Sequence, residues 1–358
     1  MAQPLADPAV RRVALVRLRV GLGDLLCSAP ALHRLRAARP DLRITMVTWP
    51  ELAPLVERLG GVDDLLPFAG ADGVPDRPPG RAADPAGWAP FVAAAVVRRF
   101  DLALQVYGDR PAANRVTAAL GARLVGGFAP TGWTVPEGAE GLHLRYPVDR
   151  HEAERHLRLF EHLGVPPAGP PELAFPLTAD DEAGHAATLE RWGLVPGRYA
   201  VLHPGASSPT RRWPVRDCAA VGDALAGDGL RVVLTGGAGE RGMGAAVAAA
   251  MRAPATDLTG ATGLGGLAAL LRDAAVLVGN DTGTAHLAAA VGARSVTVFL
   301  AGDPVRWAHR GPRHRAVVAR VPCAPCPHLE CPIDFRCAAS VRPAAVLAAA
   351  RDLAGSAA

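Results

Sequence analysis

The segment AVLVGNDTGTAHLAAAV, residues 275–291, combines an apolar run, a short polar turn and an alanine-rich run. Residues 275–278 have the apolar character of a buried parallel strand, and apolar residues recur at helical spacing after the turn. The polar turn, residues 280–284, offers Asp281 as an N-cap and Gly283 as a point where a ligand can approach the backbone. A helix N-terminus presents free N–H groups and the positive end of its dipole, so this turn predicts a phosphate site. The alternative is that Asp281 only caps the helix.

The composition is that of a globular protein with a large core. Half of the 358 residues are hydrophobic and 20% are charged, and the formal net charge is only +4. So small a basic excess, with 5% aromatic residues, does not indicate nucleic-acid binding. Arg272, Asp273, His286 and Arg294 interrupt the longest apolar runs, and the N-terminal segment lacks an apolar signal core, so a cytoplasmic protein is expected.

Apolar strands alternate with helices in both halves of the chain, which predicts parallel sheets in two βαβ domains. The proline-dense segment 166–176 marks the boundary between them. Residues 67–90 are rich in Pro, Gly and Asp and predict a long surface loop that borders a site. A last helix, residues 343–353, carries alanines that allow close packing against either domain.

The first predicted strand, residues 13–18, is followed by a glycine-containing turn that presents Asp24. The helix after the turn is predicted to begin at Ser28 as N-cap, with Pro30 in its first turn. A dinucleotide-binding G-x-G-x-x-G pattern from Gly21 fails because Leu26 stands where glycine is required. Asp24 is therefore either a general base at the carboxyl end of a strand or a residue that stabilises the turn.

Two further glycine-containing loops follow predicted strands. The loop of residues 203–214 places Arg211 and Arg212 where a guanidinium can clamp a diphosphate, unless the pair is merely solvated. The loop of residues 236–240 ends in Glu240, whose carboxylate can accept hydrogen bonds from ribose hydroxyls or act as an acidic residue at a helix N-terminus.

These motifs together resemble glycosyltransferase family 9, the ADP-heptose:lipopolysaccharide heptosyltransferases. The resemblance extends from Val13 to about Leu353. Its motifs are Gly23-Asp24 through Pro30-Ala31-Leu32, HEAER at 151, HPGAS at 203 with RRWP at 211, TGGAGE at 235, GNDTGTAHLAAAVG at 279 and GDPVRW at 302.

The resemblance implies a GT-B fold, in which two Rossmann-like domains with parallel sheets face each other across a cleft. Residues 1–170 would form the acceptor-binding domain and residues 171–340 the nucleotide-sugar-binding domain. Residues 341–358 would add a C-terminal helix that is able to pack back on the first domain.

The resemblance also implies roles for individual residues. Asp24 would be the catalytic base, and Arg211 would neutralise the leaving diphosphate where the family usually has a lysine. The donor-binding residues implied are Ser207, Glu240, Asp281, Thr282, Gly283, Thr284 and His286, with His286 bracing the phosphate turn. No metal or other cofactor is implied, because a cation and a helix terminus can stabilise the leaving group.

Four cysteines near the C-terminus form a C-x2-C-x4-C-x5-C pattern: Cys323, Cys326, Cys331 and Cys337. This spacing allows a structural zinc site. The alternative is four free thiols in a proline-stiffened loop.

The predicted function is transfer of a sugar, expected to be heptose, from an ADP-sugar to an acceptor hydroxyl with inversion at the anomeric carbon. The acceptor would be a glycan, a lipid-linked sugar or a small natural product, with at most peripheral membrane contact and no nucleic-acid partner. Two alternatives remain open at this point: a GT-B sugar-nucleotide epimerase, and a sensor that binds nucleotide sugars without turnover.

Overall fold

The computed structural model describes residues 3–75, 77–78, 80–81 and 84–355. The chain divides into two compact units, Met1–Glu172 and Leu173–Ala358, so the boundary lies within the proline-rich segment. Within the described residues each unit contains one parallel six-stranded sheet with helices between its strands.

The strands of the first unit are β1 (Arg12–Val16), β2 (Arg43–Thr48), β3 (Asp64–Pro67), β4 (Leu102–Gln105), β5 (Leu124–Ala129) and β6 (His143–Arg145). Its α-helices are α1 (Leu22–Ala38), α2 (Ala53–Leu59), α3 (Trp88–Val96), α4 (Pro111–Ala119) and α5 (Glu152–His162). The strand order is β3-β2-β1-β4-β5-β6. This order reverses between β1 and β4, which is where doubly wound sheets bind ligands.

The strands of the second unit are β7 (Tyr199–His203), β8 (Arg231–Leu234), β9 (Ala255–Asp257), β10 (Val276–Asn280), β11 (Ser295–Phe299) and β12 (His314–Val318). Its α-helices are α6 (Ala179–Trp192), α7 (Val215–Gly227), α8 (Arg241–Ala250), α9 (Leu264–Asp273), α10 (Gly283–Ala290), α11 (Pro304–Trp307), α12 (Arg336–Ser340) and α13 (Pro343–Gly355). The strand order β12-β11-β10-β7-β8-β9 repeats the topology of the first unit, with its switch point between β10 and β7.

Both sheets are Rossmann-like, so the predicted α/β fold class is confirmed. Strands β1 and β10 are central and almost wholly buried, as their continuous apolar runs predict. The short strands β6, β9 and β12 were not predicted from the sequence. Helix α13 packs into the core of the second unit through Val346, Ala350 and Leu353.

Helix α1 begins six residues earlier than the sequence predicts. Its N-cap is Gly21, and Ser28 lies inside the helix, where its Oγ donates to the carbonyl of Leu25. The prediction of Ser28 as N-cap was wrong because Pro30 was taken as a first-turn signal. Burial of the apolar residues before Pro30 outweighs the backbone hydrogen bond that proline removes. Asp24 therefore lies in the first turn of α1 and not in a preceding loop.

Candidate active site

The buried side chain of His203 connects the carboxyl ends of β7 and β8 with the first turn of α10. Its Nδ1 lies 3.1 Å from Oγ1 of Thr235 and its Nε2 lies 3.1 Å from Oγ1 of Thr284. Burial lowers the pKa of His203, against a smaller opposing effect of Glu240, so the ring is neutral. A neutral imidazole has one donor and one acceptor nitrogen, and here it bridges two hydroxyl groups. The predicted phosphate turn, residues 281–284, is thereby connected to the carboxyl ends of β7 and β8.

Asn280, the last residue of β10, fixes the loop that carries Arg211. Its Nδ2 donates to the carbonyl oxygens of Pro204 (2.8 Å) and Gly205 (3.3 Å), and its Oδ1 accepts from the backbone N–H of Trp213 (3.1 Å). The amide thus contacts the loop near both of its ends. The sequence pattern places Asn280 in the polar turn but does not indicate this role.

Asp281 is not the N-cap of α10, which corrects the sequence prediction. The helix starts at Gly283 with Thr282 at the N-cap position. Asp281 still donates its backbone N–H to the carbonyl of Val298 at 3.1 Å, so the chain continues as strand for one more residue. The buried carboxylate instead lies 3.6 Å from Nη1 of Arg211.

The predicted phosphate turn is formed by residues 281–284, at the N-terminus of an eight-residue helix. Thr282 and Gly283 are half-buried, whereas Thr284 is buried against His203. The first turn of α10 therefore directs the positive end of its dipole toward the sheet edge where Asp281 and Arg211 also lie.

Glu240 extends from the β8 loop toward the loop that follows β7. Its Oε2 accepts the backbone N–H of Gly237 at 2.7 Å, which closes the turn at residues 238–240. A side chain on Gly205 would collide with this carboxylate, so only glycine permits the close approach. Glu240 thus stabilises its own turn through Gly237 and also lies beside the loop that follows β7. The role predicted for it in ribose binding stays a prediction.

Arg211 ends a short turn, Pro209–Arg211, that is held by hydrogen bonds to residues 328 and 329. The hydroxyls of Ser208 and Thr210 lie 2.8 Å apart and donate to the carbonyls of Leu329 and His328, at 3.0 and 2.9 Å. Arg211 keeps 37% of its side chain exposed. Neither anchoring hydroxyl was singled out from the sequence.

Ser207, the neighbour of that anchored turn, is exposed. Its predicted role in donor binding stays a prediction.

His286, in the second turn of α10, contacts residues that follow β11. Its Nδ1 lies 2.8 Å from Nε2 of His309, and its ring packs edge-on against Trp307 with centroids 5.5 Å apart. The sequence did not predict a role for His309, although this residue lies two positions after the GDPVRW motif. His286 thus connects α10 with α11 and the residues that follow it.

Asp24 lies at the switch point of the first unit, beside two arginines. Its Oδ1 is 3.4 Å from Nη2 of Arg17 and 3.4 Å from Nε of Arg19. The carboxylate lies over Gly21, where a side chain would collide with it. With 18% of its side chain exposed, Asp24 is held in place but is still open to solvent.

A cavity of about 460 Å³ lies in the first unit beside Trp49 and Trp88. Its polar lining residues are Asp72, Arg77, Asp84 and Arg115. Trp49 follows β2 and donates its indole N–H to the carbonyl of Leu18 at 2.8 Å, which ties the cavity wall to the segment that leads to Asp24. Part of the loop predicted to border a site therefore lines this cavity, while residues 76, 79, 82 and 83 of that loop lie outside the described residues.

The four C-terminal cysteines line a second cavity, of about 240 Å³, in the second unit. In the described ranges no three His, Cys, Asp or Glu side chains are grouped so as to hold a metal ion. The zinc alternative stays a prediction. Burial raises the pKa of the Cys337 thiol. The cysteine loop contacts the turn that carries Arg211, because its residues His328 and Leu329 accept the hydrogen bonds from Thr210 and Ser208.

None of the helices in the described part of the chain is long and apolar enough to cross a membrane.

Two Rossmann-like units, one with a polar turn at the N-terminus of α10 and one with a carboxylate at its switch point, agree with the GT-B fold. The model of glycosyltransferase family 9 (heptosyltransferase) matches residues 139–335, more than half of the chain. The chain therefore belongs to glycosyltransferase family 9 and is a glycosyltransferase.

The comparisons with individual proteins agree with this assignment. Lipopolysaccharide heptosyltransferase 3 of Escherichia coli K12 is 24% identical over 297 residues, which cover 80% of this chain and 81% of that protein. The family 9 glycosyltransferase structure from Veillonella parvula superposes with a TM-score of 0.78 at 19% identity, covering 97% and 98% of the two chains.

Two Escherichia coli structures share the fold at similarly low identity. ADP-heptose lipopolysaccharide heptosyltransferase II has a TM-score of 0.72 at 18% identity, covering 96% of this chain and 99% of its own. Heptosyltransferase WaaC with ADP has a TM-score of 0.59 at 21% identity, covering 86% and 90%. The family assignment supports sugar transfer and gives no support to the epimerase or sensor alternatives.

Proposed function

We propose that this protein transfers heptose from ADP-heptose to an acceptor hydroxyl with inversion at the anomeric carbon. The second unit would bind the donor and the first unit the acceptor. The observation that carries the proposal is the convergence of Arg211, Glu240, Asp281 and the α10 N-terminus on one sheet edge of the second unit. Such an edge suits a nucleoside diphosphate, which has two phosphates and a ribose to hold.

Arg211 and the turn of residues 281–284 would stabilise the leaving ADP. Negative charge develops on the diphosphate as the glycosidic bond to it breaks, and a guanidinium and a helix N-terminus at the same sheet edge would offset this charge. Arginine can also donate two parallel hydrogen bonds to phosphate oxygens, which the lysine usual in the family cannot. Asp281, held near Arg211, would keep the guanidinium in place before the donor binds.

Asp24 would take the proton from the acceptor hydroxyl. An alcohol is a poor nucleophile at neutral pH, so a positioned carboxylate increases its reactivity. The two arginines at 3.4 Å favour the ionised carboxylate, which is the form that a base requires. The partial exposure of Asp24 leaves a face that a hydroxyl group can reach.

The acceptor would bind in the first unit, in the cavity lined by Trp49 and Trp88. Indole rings offer flat apolar faces, and the two aspartates and two arginines of the lining provide hydrogen bonds to a polar molecule. This lining suits a sugar ring or another ring-containing hydroxyl compound. The curated relatives are named for lipopolysaccharide, so a core sugar is one proposed acceptor and a small natural product is the other. The proposal includes a cytoplasmic site of action.

The deciding experiment is mass spectrometry of products from purified protein incubated with ADP-heptose and a panel of acceptors. The panel includes lipopolysaccharide core sugars and hydroxylated small molecules, and ADP-glucose and a UDP-sugar serve as donor controls. The proposal predicts a mass increase of one heptose only with ADP-heptose, and NMR of the product should show the anomeric configuration inverted. Donor conversion without any acceptor would instead indicate an epimerase, and donor binding without turnover on any acceptor would indicate a sensor.

A further inference from the structure

Helix α5 contributes a fully buried carboxylate, Glu152, to which the proposed reaction assigns no role. Its Oε2 accepts hydrogen bonds from the hydroxyl of Tyr146 at 2.8 Å and from Nη1 of Arg155 at 3.3 Å. Its Oε1 lies 3.6 Å from Nε2 of His156. A carboxylate buried to this extent is stable only when it is paired and hydrogen-bonded. These contacts provide the pairing and the hydrogen bonds that Glu152 requires.

Arg17 connects this cluster to Asp24. Its Nη2 lies 3.9 Å from Oε1 of Glu152 and 3.4 Å from Oδ1 of Asp24, and it also donates to the backbone carbonyl of Asp24 at 2.6 Å. The other terminal nitrogen, Nη1, donates to the carbonyls of Val106 and Tyr107, each at 3.0 Å. One guanidinium is therefore held between two carboxylates and the ends of β1 and β4.

The charges explain why Glu152 is needed where it is. Arg17 has no exposed surface, and burying a guanidinium costs several kcal/mol unless an opposite charge lies close. Backbone carbonyls accept hydrogen bonds from its Nη1 and Nη2 groups but carry no net charge, and Asp24 is partly solvated. Arg155 is also buried, so Glu152 is the fully buried carboxylate between two buried guanidiniums.

We infer that Glu152 is a positioning residue for Asp24 and acts through the guanidinium of Arg17. Its negative charge offsets part of the field that Arg17 and Arg19 exert on Asp24, and its contact with Arg17 limits how closely that group approaches Asp24. Loss of the charge leaves Asp24 with a lower affinity for a proton, which makes it a weaker base. The kinetic consequence rests on the proposed role of Asp24, whereas the electrostatic coupling does not.

The test replaces Glu152 by glutamine and measures the protonation of Asp24 directly. The carboxyl carbon of Asp24 is followed by ¹³C NMR as a function of pH in ligand-free protein, with Asp24→Asn used to assign the signal. We expect the midpoint in Glu152→Gln to fall by about half a pH unit to one unit, because the charge of Glu152 then no longer offsets the effect of Arg17 on Asp24. Glu154→Gln, which removes a half-buried carboxylate two residues away on the same helix, should leave the midpoint unchanged.

The kinetic measurement uses the same variants with ADP-heptose and the identified acceptor. Glu152→Gln should lower kcat by up to about tenfold with donor KM unchanged, and the acidic limb of its pH profile should move to lower pH. A loss of activity with an unmoved Asp24 midpoint would show a purely structural role and overturn the inference. If Asp24→Asn itself transfers sugar at the native rate, the proposed base fails, and the NMR midpoint still decides whether Glu152 acts on Asp24.

Glu152→Asp covers the case in which glutamine prevents folding. It retains a buried negative charge beside Arg155, but it shortens the side chain and draws the carboxylate away from Arg17. The Asp24 midpoint should then lie below that of the native protein, and kcat should also be below the native value. A midpoint equal to that of the native protein in the folded Asp variant would also overturn the inference.

Discussion

Gly302 leaves the space that the carboxylate of Asp281 occupies. A side chain at position 302 would collide with Oδ2 of Asp281, the atom that lies 3.6 Å from Arg211. The glycine of the GDPVRW motif is therefore part of the proposed donor site, although it follows a different strand from Asp281.

Replacing Gly302 by alanine should displace Asp281 and disturb its contact with Arg211. We expect ADP affinity to fall at least about tenfold, which corresponds to ~1.4 kcal/mol. Isothermal titration calorimetry measures the affinity. The matched control is Gly227→Ala at the end of α7, where no atom lies within 4 Å of the added methyl group and affinity should be unchanged. An unchanged affinity in Gly302→Ala would show that Asp281 does not organise the donor site.

Replacing Arg211 by alanine should weaken the binding of ADP and of ADP-sugar without unfolding the protein. A charge-assisted hydrogen bond contributes about 1.5–3 kcal/mol, so the dissociation constant should rise by roughly 10- to 100-fold. The side chain is 37% exposed and contributes little to the core. Arg216→Ala, with 82% of the side chain exposed, is the control for loss of a positive charge. Equal affinities in the two variants would move the diphosphate clamp to another residue.

The sequence predicts the local part of this architecture well. Alternation of apolar strands and helices predicted both sheets, and the polar turn of residues 280–284 was located at a strand end, where the structure has it. Three short strands were missed because β6, β9 and β12 are short and two of them are little buried. The strands β6 and β9 have only three residues, and β12 begins with two polar residues, so none of the three has the continuous apolar run that indicated the other strands.

The contacts between distant segments could not be predicted in the same way. The collision between a side chain at Gly302 and Asp281 and the bridge from Glu152 through Arg17 to Asp24 depend on which strands become neighbours. Sequence spacing does not encode those neighbours. The two helix starts were misplaced for a related reason: local N-cap and proline signals were outweighed by burial in α1 and by strand pairing at Asp281.

The buried His203 should make the second unit less stable in mild acid. Burial lowers its pKa in the folded state, so the unfolded chain binds a proton that the native protein does not. Stability from this group is complete above the unfolded pKa of about 6.5 and is lost as pH falls below it, by up to about 1.4 kcal/mol between pH 7.5 and 5.5.

Hydrogen exchange of the β7 and β10 amides, corrected for intrinsic rates, measures this loss locally. The decrease between the two pH values should be smaller in His203→Gln than in the native protein. The pKa of His314 is also lowered, by burial and by Arg313 and Arg315, but its contribution is common to both proteins and cancels. An equal decrease in the two proteins would mean that the pKa of His203 is not lowered in the folded state.

Replacing Trp88 by alanine should impair acceptor binding selectively. Trp88 lines the cavity of the first unit and is half-buried, so the change removes an indole face from the cavity while Phe91 remains in the core beneath it. We expect the acceptor KM to rise about tenfold with ADP affinity unchanged, because an aromatic contact contributes about 0.5–1.5 kcal/mol beyond its buried area. Trp192→Ala, which removes an exposed indole from the second unit, is the control. Steady-state kinetics that show a native acceptor KM would exclude this cavity as the acceptor site.

Replacing Asp24 by asparagine separates catalysis from binding. Asparagine retains the size and one oxygen acceptor of the side chain but removes the basic carboxylate, so ground-state contacts are kept while proton transfer is lost. We expect kcat to fall by roughly 10²- to 10⁴-fold. Donor affinity should barely change, because the proposed ADP contacts all lie in the second unit. Asp149→Asn, whose side chain is 74% exposed in the same unit, controls for loss of a negative charge. If Asp24→Asn transfers sugar at the native rate, Asp24 only stabilises its turn together with Arg17 and Arg19, and the base must be another residue.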